Sequence, residues 1–310
     1  MKSYKQKNYM VLAENFYLND NIHKALEFYE KSLIYEGEKE DRLVILFNLA
    51  AIYEELNELD KSIDIYKMIL DLEPTTYEAY FNMALVEELR DNKAVAISLY
   101  NKALDINPYF SNAYYNIATI YDDDGDKDKA LEYFYKVINI DTENFIAYNN
   151  IGSLYEEMGQ FDIAYNMIKK SIDINGNFYK SLFNMGVVYK RLGNHMLAIE
   201  YYNKAKECNP EYQYIYLNLS AIYIEDKNYD KSIEILTEGI KYNPSAVDLY
   251  YNRACSYSIL NEDNLAIKDL RKALIINPTI IKWVRRDKDF MNLYDNVEFV
   301  RILEEHSINN

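Results

Sequence analysis

Apolar residues recur at spacings of three and four along almost the whole chain, and the pattern restarts at a fixed interval. The stretch from Tyr179 to Tyr212 shows the unit. Leu182, Met185, Val188, Tyr189 and Leu192 make one stripe, and Gly193 supplies the left-handed residue that ends a helix. A second stripe, Ala198, Ile199, Tyr202 and Ala205, begins near Met196, and Pro210 stops it. The pattern predicts a helical hairpin. Neither helix can bury its stripe alone, so the hairpin needs a neighbour on each side.

Copies of this unit start at Gln6, Leu43, Tyr77, Ser111, Phe145, Tyr179, Gln213 and Val247. From Leu43 onward every step is 34 residues, and the longer first step places extra residues in the acidic connection Tyr35 to Asp41. Counting from each copy's own first residue, position 8 is always small (Ala13, Ala50, Ala84, Ala118, Gly152, Gly186, Ser220, Ala254). So is position 20 (Ala25, Ser62, Ala96, Ala130, Ala164, Ala198, Ser232, Ala266). Helices whose axes approach to about 8–10 Å have no room for a large side chain where they cross. Position 15 reads Asp20, Asn57, Asp91, Gly125, Gly159, Gly193, Lys227 and Asn261, all but Lys227 tolerant of left-handed backbone. All five prolines fall at position 32, where one hairpin hands over to the next. Tyrosines recur at positions 4 and 11, so most of the 33 tyrosines are expected to be structural.

Tyr148, Ile151, Gly152, Tyr155, Gly159, Ala164 and Ser171, with their equivalents along the chain, resemble the tetratricopeptide repeat pattern from Gln6 to Pro278. Residues 1–278 are read as eight such repeats. The resemblance implies an all-α, right-handed superhelical solenoid of antiparallel helix pairs, whose first helices line a concave groove that binds peptides or proteins. The departures are mild: Leu46 and Leu182 replace the aromatic at position 4, and Glu87 replaces the one at position 11. Weaker packing is expected around the third repeat.

Past Pro278 the period is lost, and residues 279–310 are read as a C-terminal helical cap. Ile280, Ile281 and Trp283 come first, then Phe290, Leu293, Val297, Val300 and Leu303 on a short helix pair. The basic run Lys282, Arg285, Arg286 and Lys288 is either a solvated face over Trp283 or a docking site for an acidic partner.

Charge then narrows the partner. There are 34 Lys+Arg against 50 Asp+Glu, a net −16, which opposes the phosphate neutralisation that nucleic-acid binding requires. Two cysteines without CxxC spacing point to a reducing compartment and no structural metal. No run of about 18 apolar residues and no leader-like segment occurs, so a cytoplasmic chain without a membrane span is expected.

The groove expected from the resemblance collects positions 2, 5, 9, 12 and 13 of the first helices. Position 5 gives an aromatic stripe, Phe47, Phe81, Tyr115, Phe183, Leu217 and Tyr251, interrupted by Asn149; it serves either ligand contact or packing between neighbouring first helices. Glu54, Glu55, Glu88, Asp122, Asp123, Glu156 and Glu157 form an acidic rim over the second to fifth repeats, there for solubility or to attract a basic peptide. The sixth repeat breaks that rim with Lys180, Lys190 and Arg191, beside Phe183 and flanked by Tyr214 and Leu217. Lys190 and Arg191 either pair with Glu156 and Glu157 or form a socket for a ligand carboxylate or phosphate. Asn recurs at position 6, Asn184 included, either joining repeats or bonding an extended ligand backbone.

Other chemistry fits poorly. The carboxylate clamp of chaperone-binding family members needs Lys at position 5, which never occurs here. Asp122 to Asp128 contains a glycine, but a calcium loop in that register would need Ile120 and Leu131 as ligands. His23, His195 and His306 are scattered, and neither Cys208 nor Cys255 has a phased histidine. A cofactor-free, non-catalytic protein- or peptide-binding scaffold is therefore expected. The alternatives are a receptor whose superhelix closes on a short peptide and, more distantly, an enzyme with an unrecognised site. The aromatic groove could also accept another copy of the chain.

Overall fold

The computed structural model describes residues 2–305; His306 and the four residues after it lie outside the described residues. The chain is a succession of antiparallel helix pairs with no strand among the described residues, and no described helix is long and apolar enough to cross a membrane. Two compact units are present, Met1–Thr142 and Glu143–Asn310.

The first unit pairs α1 (Lys2–Leu18) with α2 (Ile22–Leu33), α3 (Lys39–Glu55) with α4 (Leu59–Leu72), α5 (Tyr77–Leu89) with α6 (Lys93–Ile106), and α7 (Ser111–Asp123) with α8 (Lys127–Ile140). The second pairs α9 (Phe145–Glu157) with α10 (Phe161–Ile174), α11 (Tyr179–Arg191) with α12 (His195–Cys208), α13 (Gln213–Glu225) with α14 (Tyr229–Tyr242), and α15 (Val247–Ile259) with α16 (Asp263–Ile276). A closing segment follows: a 3-10 turn at Pro278–Ile280, α17 (Ile281–Val284), a second 3-10 turn at Lys288–Leu293, and α18 (Val297–Glu305).

Small residues sit where the helices of a pair cross. Ala84 with Ala96, and Ala254 with Ala266, are wholly buried. The room is tight: a methyl group on Gly152 would come within 2.4 Å of Ile168 Cγ1, and one on Gly186 within 2.6 Å of the Tyr202 ring. Pairs are joined to their predecessors through positions 3 and 10. In the first unit these are Ile45, Ala79 and Ala113 with Ile52, Val86 and Ile120, all buried. In α1 the same positions hold Asn8 and Asn15, both exposed. Around Glu87 the third pair is closed, with Ala84, Ala96 and Tyr100 wholly buried and the Asn92 amide donating to the Glu87 carboxylate at 2.7 Å. The weaker packing expected there is not seen.

Every hairpin turns through a left-handed residue, whatever its side chain. Gly125, Gly159 and Gly193 do so, as do Asp20, Asn57, Asp91, Asn261 and Lys227, the last at φ 57°. The same pair of backbone bonds closes the turn in each case: Lys227 N–H donates to the Ile224 carbonyl at 2.9 Å and Asn228 N–H to that of Tyr223 at 2.7 Å. Turn geometry thus overrides the preference of lysine.

The closing segment buries Ile280, Ile281, Val284, Phe290 and Leu293 in one cluster with Ala254, Leu270 and Leu274. Its last helix is rotated from the expected stripe. Phe299 and Ile302 face inward, while Val297 is exposed, because Phe299 packs between Phe290 and Tyr294 at ring distances of 6.1 and 5.4 Å. Trp283 is 58% exposed, so the basic run beside it does not cover it.

Two substitutions test this account in opposite directions. Lys227→Gly removes left-handed strain of about 1–2 kcal/mol and raises the denaturation midpoint followed by circular dichroism. Gly186→Ala lowers it by overpacking worth about 1–3 kcal/mol, although alanine is the better helix former.

Candidate functional site

In the first unit the position-5 aromatics are half-buried, each with its ring against its partner helix. Phe47 meets Tyr66 at 6.2 Å, Tyr115 meets Phe134 at 5.6 Å, and Phe81 lies between Tyr100 and Phe110 at 5.4 and 4.8 Å. Packing within the array thus already engages each of these rings. The acidic rim is also partly engaged. Glu54 Oε1 accepts bonds from the Ser62 and Tyr66 hydroxyls, both at 2.8 Å. Glu88 accepts the Tyr100 hydroxyl, which in turn accepts from the Asn116 amide at 2.9 Å. Burial raises Glu88 above the ordinary carboxylate value, against the lowering effect of the tyrosine bond. These carboxylates and Asn116 tie a first helix to its partner and to the next pair.

In the second unit Asn149 is 3% exposed and takes the place of an aromatic. Its Oδ1 accepts from Ser181 Oγ at 3.1 Å and from Asn184 Nδ2 at 3.0 Å. Ser181 and Ser171 share a bond of 2.6 Å, and Ser171 is also 2.6 Å from the Phe145 carbonyl, to which it donates. This is a buried network joining α9, α10 and α11, so Asn149 presents almost no surface. Phe183 is likewise buried, against Tyr202 and Tyr212 at 5.5 and 5.2 Å.

The three cations of the sixth repeat part company. Arg191 Nε donates to Glu156 at 2.9 Å, while Lys190 turns the other way, to Glu225 at 3.0 Å. His195 also approaches Glu225, at 3.5 Å. Lys180 is exposed and has no ion-pair partner among the described residues. Tyr214 is 48% exposed and Leu217 half-buried. Tyr251 is drawn under the closing segment, its hydroxyl donating to Asp287 Oδ2 at 2.6 Å. Cys255 Sγ lies 3.8 Å from the same oxygen, and burial pushes its thiol up. Cys255, Asp287 and Asp289 bring their donor atoms within 4.8 Å of one another. Burial and the two carboxylates both disfavour the thiolate there.

An aromatic ladder in this unit escaped the reading by groove positions. Phe145 meets Phe178 at 5.0 Å, Phe178 meets Tyr179 at 6.1 Å, and Tyr179 meets Tyr212 at 5.1 Å. Tyr212 then contacts Tyr214 at 5.3 Å. The first four of these rings come from positions 1 and 34, the junction between repeats, and their signal is an aromatic on each side of the repeat boundary; Tyr214 is at groove position 2. The ladder runs along the N-terminal ends of α9, α11 and α13, with Tyr214 and Lys180 at its exposed edge.

The raised Glu88 carboxyl gives a pH dependence of definite sign. Its folded form holds the proton more tightly than the unfolded chain, so stability from this group is complete below the ordinary value of 4.5 and is lost as pH rises through the folded value. Denaturation midpoints measured across this range will show that descent in the wild type and a flatter profile in Glu88→Gln.

Profiles of the family described as tetratricopeptide repeat match residues 43–76, 77–110, 146–178, 214–245 and 247–280, and related profiles of the same description match 99–132 and 179–212. Among solved structures, a tetratricopeptide repeat protein from Parabacteroides merdae is 16% identical, with a TM-score of 0.61 over 85% of this chain and 98% of its own. PilF of Pseudomonas aeruginosa is 16% identical, with a TM-score of 0.56 over 70% of this chain and 96% of its own. The Cut9–Hcn1 hetero-tetramer of the APC/C gives 17% identity and a TM-score of 0.57 over 96% of this chain and 55% of the matched one. No curated protein matches. With more than half of its length matched by one family profile and helix pairs of the same architecture throughout, the chain belongs to the tetratricopeptide repeat family.

Proposed function

We propose that the chain is a non-catalytic scaffold that holds a peptide segment of a partner protein on the first-helix side of its second unit. The observation that carries this reading is the aromatic ladder from Phe145 to Tyr214, with exposed Lys180 beside it. Aromatic rings fixed on helices offer large contact area at little ordering cost, which is the character of binding hot spots. Lys190 and Arg191 are neutralised by Glu225 and Glu156, so Lys180 is the cation that a ligand carboxylate would meet. Phe47, Phe81 and Tyr115, each half-buried, extend the same function to the first unit. Burial disfavours the Cys255 thiolate, and Glu54 and Glu88 are held by hydroxyls, which supports a non-catalytic reading. The partner is read as protein, neither nucleic acid nor membrane, and the chain as cytoplasmic.

Capture of partners from native lysate tests the assignment. Lys180→Glu/Tyr214→Ala lowers recovery of specific partners about tenfold with unchanged helical content. Unaltered capture by this variant would exclude the ladder edge as the site. Light scattering of the wild type and the variant checks whether the occupant is a second copy, in which case dimer is lost in the variant.

A further inference from the structure

The outer face of the eighth repeat departs from those of the first, fourth and sixth at three positions that meet in space. On the second helices of the first, fourth and sixth repeats, position 22 is glutamate and position 26 lysine, and the two bridge one turn apart: Glu27 with Lys31, Glu132 with Lys136 at 2.7 Å, Glu200 with Lys204 at 2.7 Å. Between them, position 23 is an aromatic ring under the lysine: Phe28 at 5.0 Å, Tyr133 at 4.1 Å, Tyr201 at 4.7 Å. In α16 position 22 is Lys268, position 26 is Lys272 and position 23 is Asp269.

Each change has a physical consequence. Two lysines one turn apart repel where those three repeats gain a salt bridge. Neither Lys268 nor Lys272 has an ion-pair partner among the described residues. Asp269, 4% exposed, stands where those three repeats carry a ring and turns to Arg253, with bonds of 2.6 and 2.8 Å; Arg253 also donates to Thr237 Oγ1 at 2.8 Å. A cavity of about 580 Å³ is present here, lined by buried Ile267 and Tyr250, by Ile240, by Ile275, which is 76% exposed, by the paired Arg253 and Asp269, and by the two lysines. Its volume is that of a ligand pocket. The apolar wall and uncompensated positive edge make a concentrated exception in a chain of net charge −16.

We propose that this cavity binds an acidic peptide segment of a partner protein, with one large apolar side chain against Ile267 and Tyr250 and flanking carboxylates on Lys268 and Lys272. The chain's overall negative charge does not prevent this, because at physiological ionic strength charges more than about 8 Å away are largely screened. The site lies between α14, α15 and α16 and shares no residue with the aromatic ladder.

Fluorescence anisotropy of the full chain with a short labelled peptide, one phenylalanine among glutamates, tests it. Saturable binding is expected that weakens with salt, is lost when the glutamates are replaced by glutamines, and is lost when the phenylalanine becomes alanine. Lys268→Glu/Lys272→Glu weakens binding about tenfold or more, and Ile275→Glu, another exposed position that the fold does not need, does the same. Lys180→Glu/Tyr214→Ala leaves it unchanged, so failure here and failure of the ladder site are separable. Absence of saturable binding by the wild type, equal binding of the glutamine peptide, or wild-type affinity in both cavity variants overturns the proposal.

Discussion

Close approach of two helices at a pair of small residues sets the dimensions of every hairpin. At Ala84 and Ala96 the side chains are methyls, and at Gly152 and Gly186 even a methyl would strike the partner helix. Once the axes are that near, large side chains on either side of the crossing are driven into fixed places. Tyr202 lies across Gly186, and Tyr66 and Tyr100 occupy equivalent positions in their own pairs. Their hydroxyls then emerge on the first-helix side, where burial makes an unpaired oxygen costly. Glu54 and Glu88 are there to accept.

That chain of constraints recasts several polar groups. A glutamate that looks available in sequence is the acceptor of a buried hydroxyl, and an asparagine repeated at one position is its second partner, as Asn116 is for Tyr100. In the sixth repeat Lys190 replaces the glutamate, and the Tyr202 hydroxyl instead donates to Asn218 at 3.3 Å. Lys190 is then turned toward Glu225, leaving Arg191 to Glu156. The differentiation of that repeat is absorbed by its neighbours. Lys180 and the rings at the junctions are what remain at the surface.

Position-specific backbone and volume requirements were legible in the chain because they admit few residue types: a small residue at a crossing, a left-handed residue at a turn, proline at a hand-over. Lys227 shows that even a violation of the type rule leaves the geometry intact. Side-chain engagement was less legible. Asn149 and Phe183 occupy positions that face a groove in the family pattern, yet one is sealed in a serine and asparagine network and the other under Tyr212. Period counting assigns a direction to a side chain but cannot register a neighbour from another repeat that lies over it. The ladder was missed for the same reason, since Phe178 and Tyr179 belong to different repeats although adjacent in sequence. In α18 a rotation inverted the expected stripe, because Phe299 found an aromatic niche between Phe290 and Tyr294.

The placement of Trp283 has an optical consequence. It is the sole tryptophan beside 33 tyrosines, and it stands on the closing segment, whereas every tyrosine but Tyr294 precedes that segment. Indole emission therefore reports on the closing segment and phenol emission overwhelmingly on the helix pairs before it. In repeat arrays, where stability is a sum of local and nearest-neighbour contributions, fraying at an end need not coincide with loss of the interior. Two colours of intrinsic fluorescence can follow those events separately in the unlabelled protein.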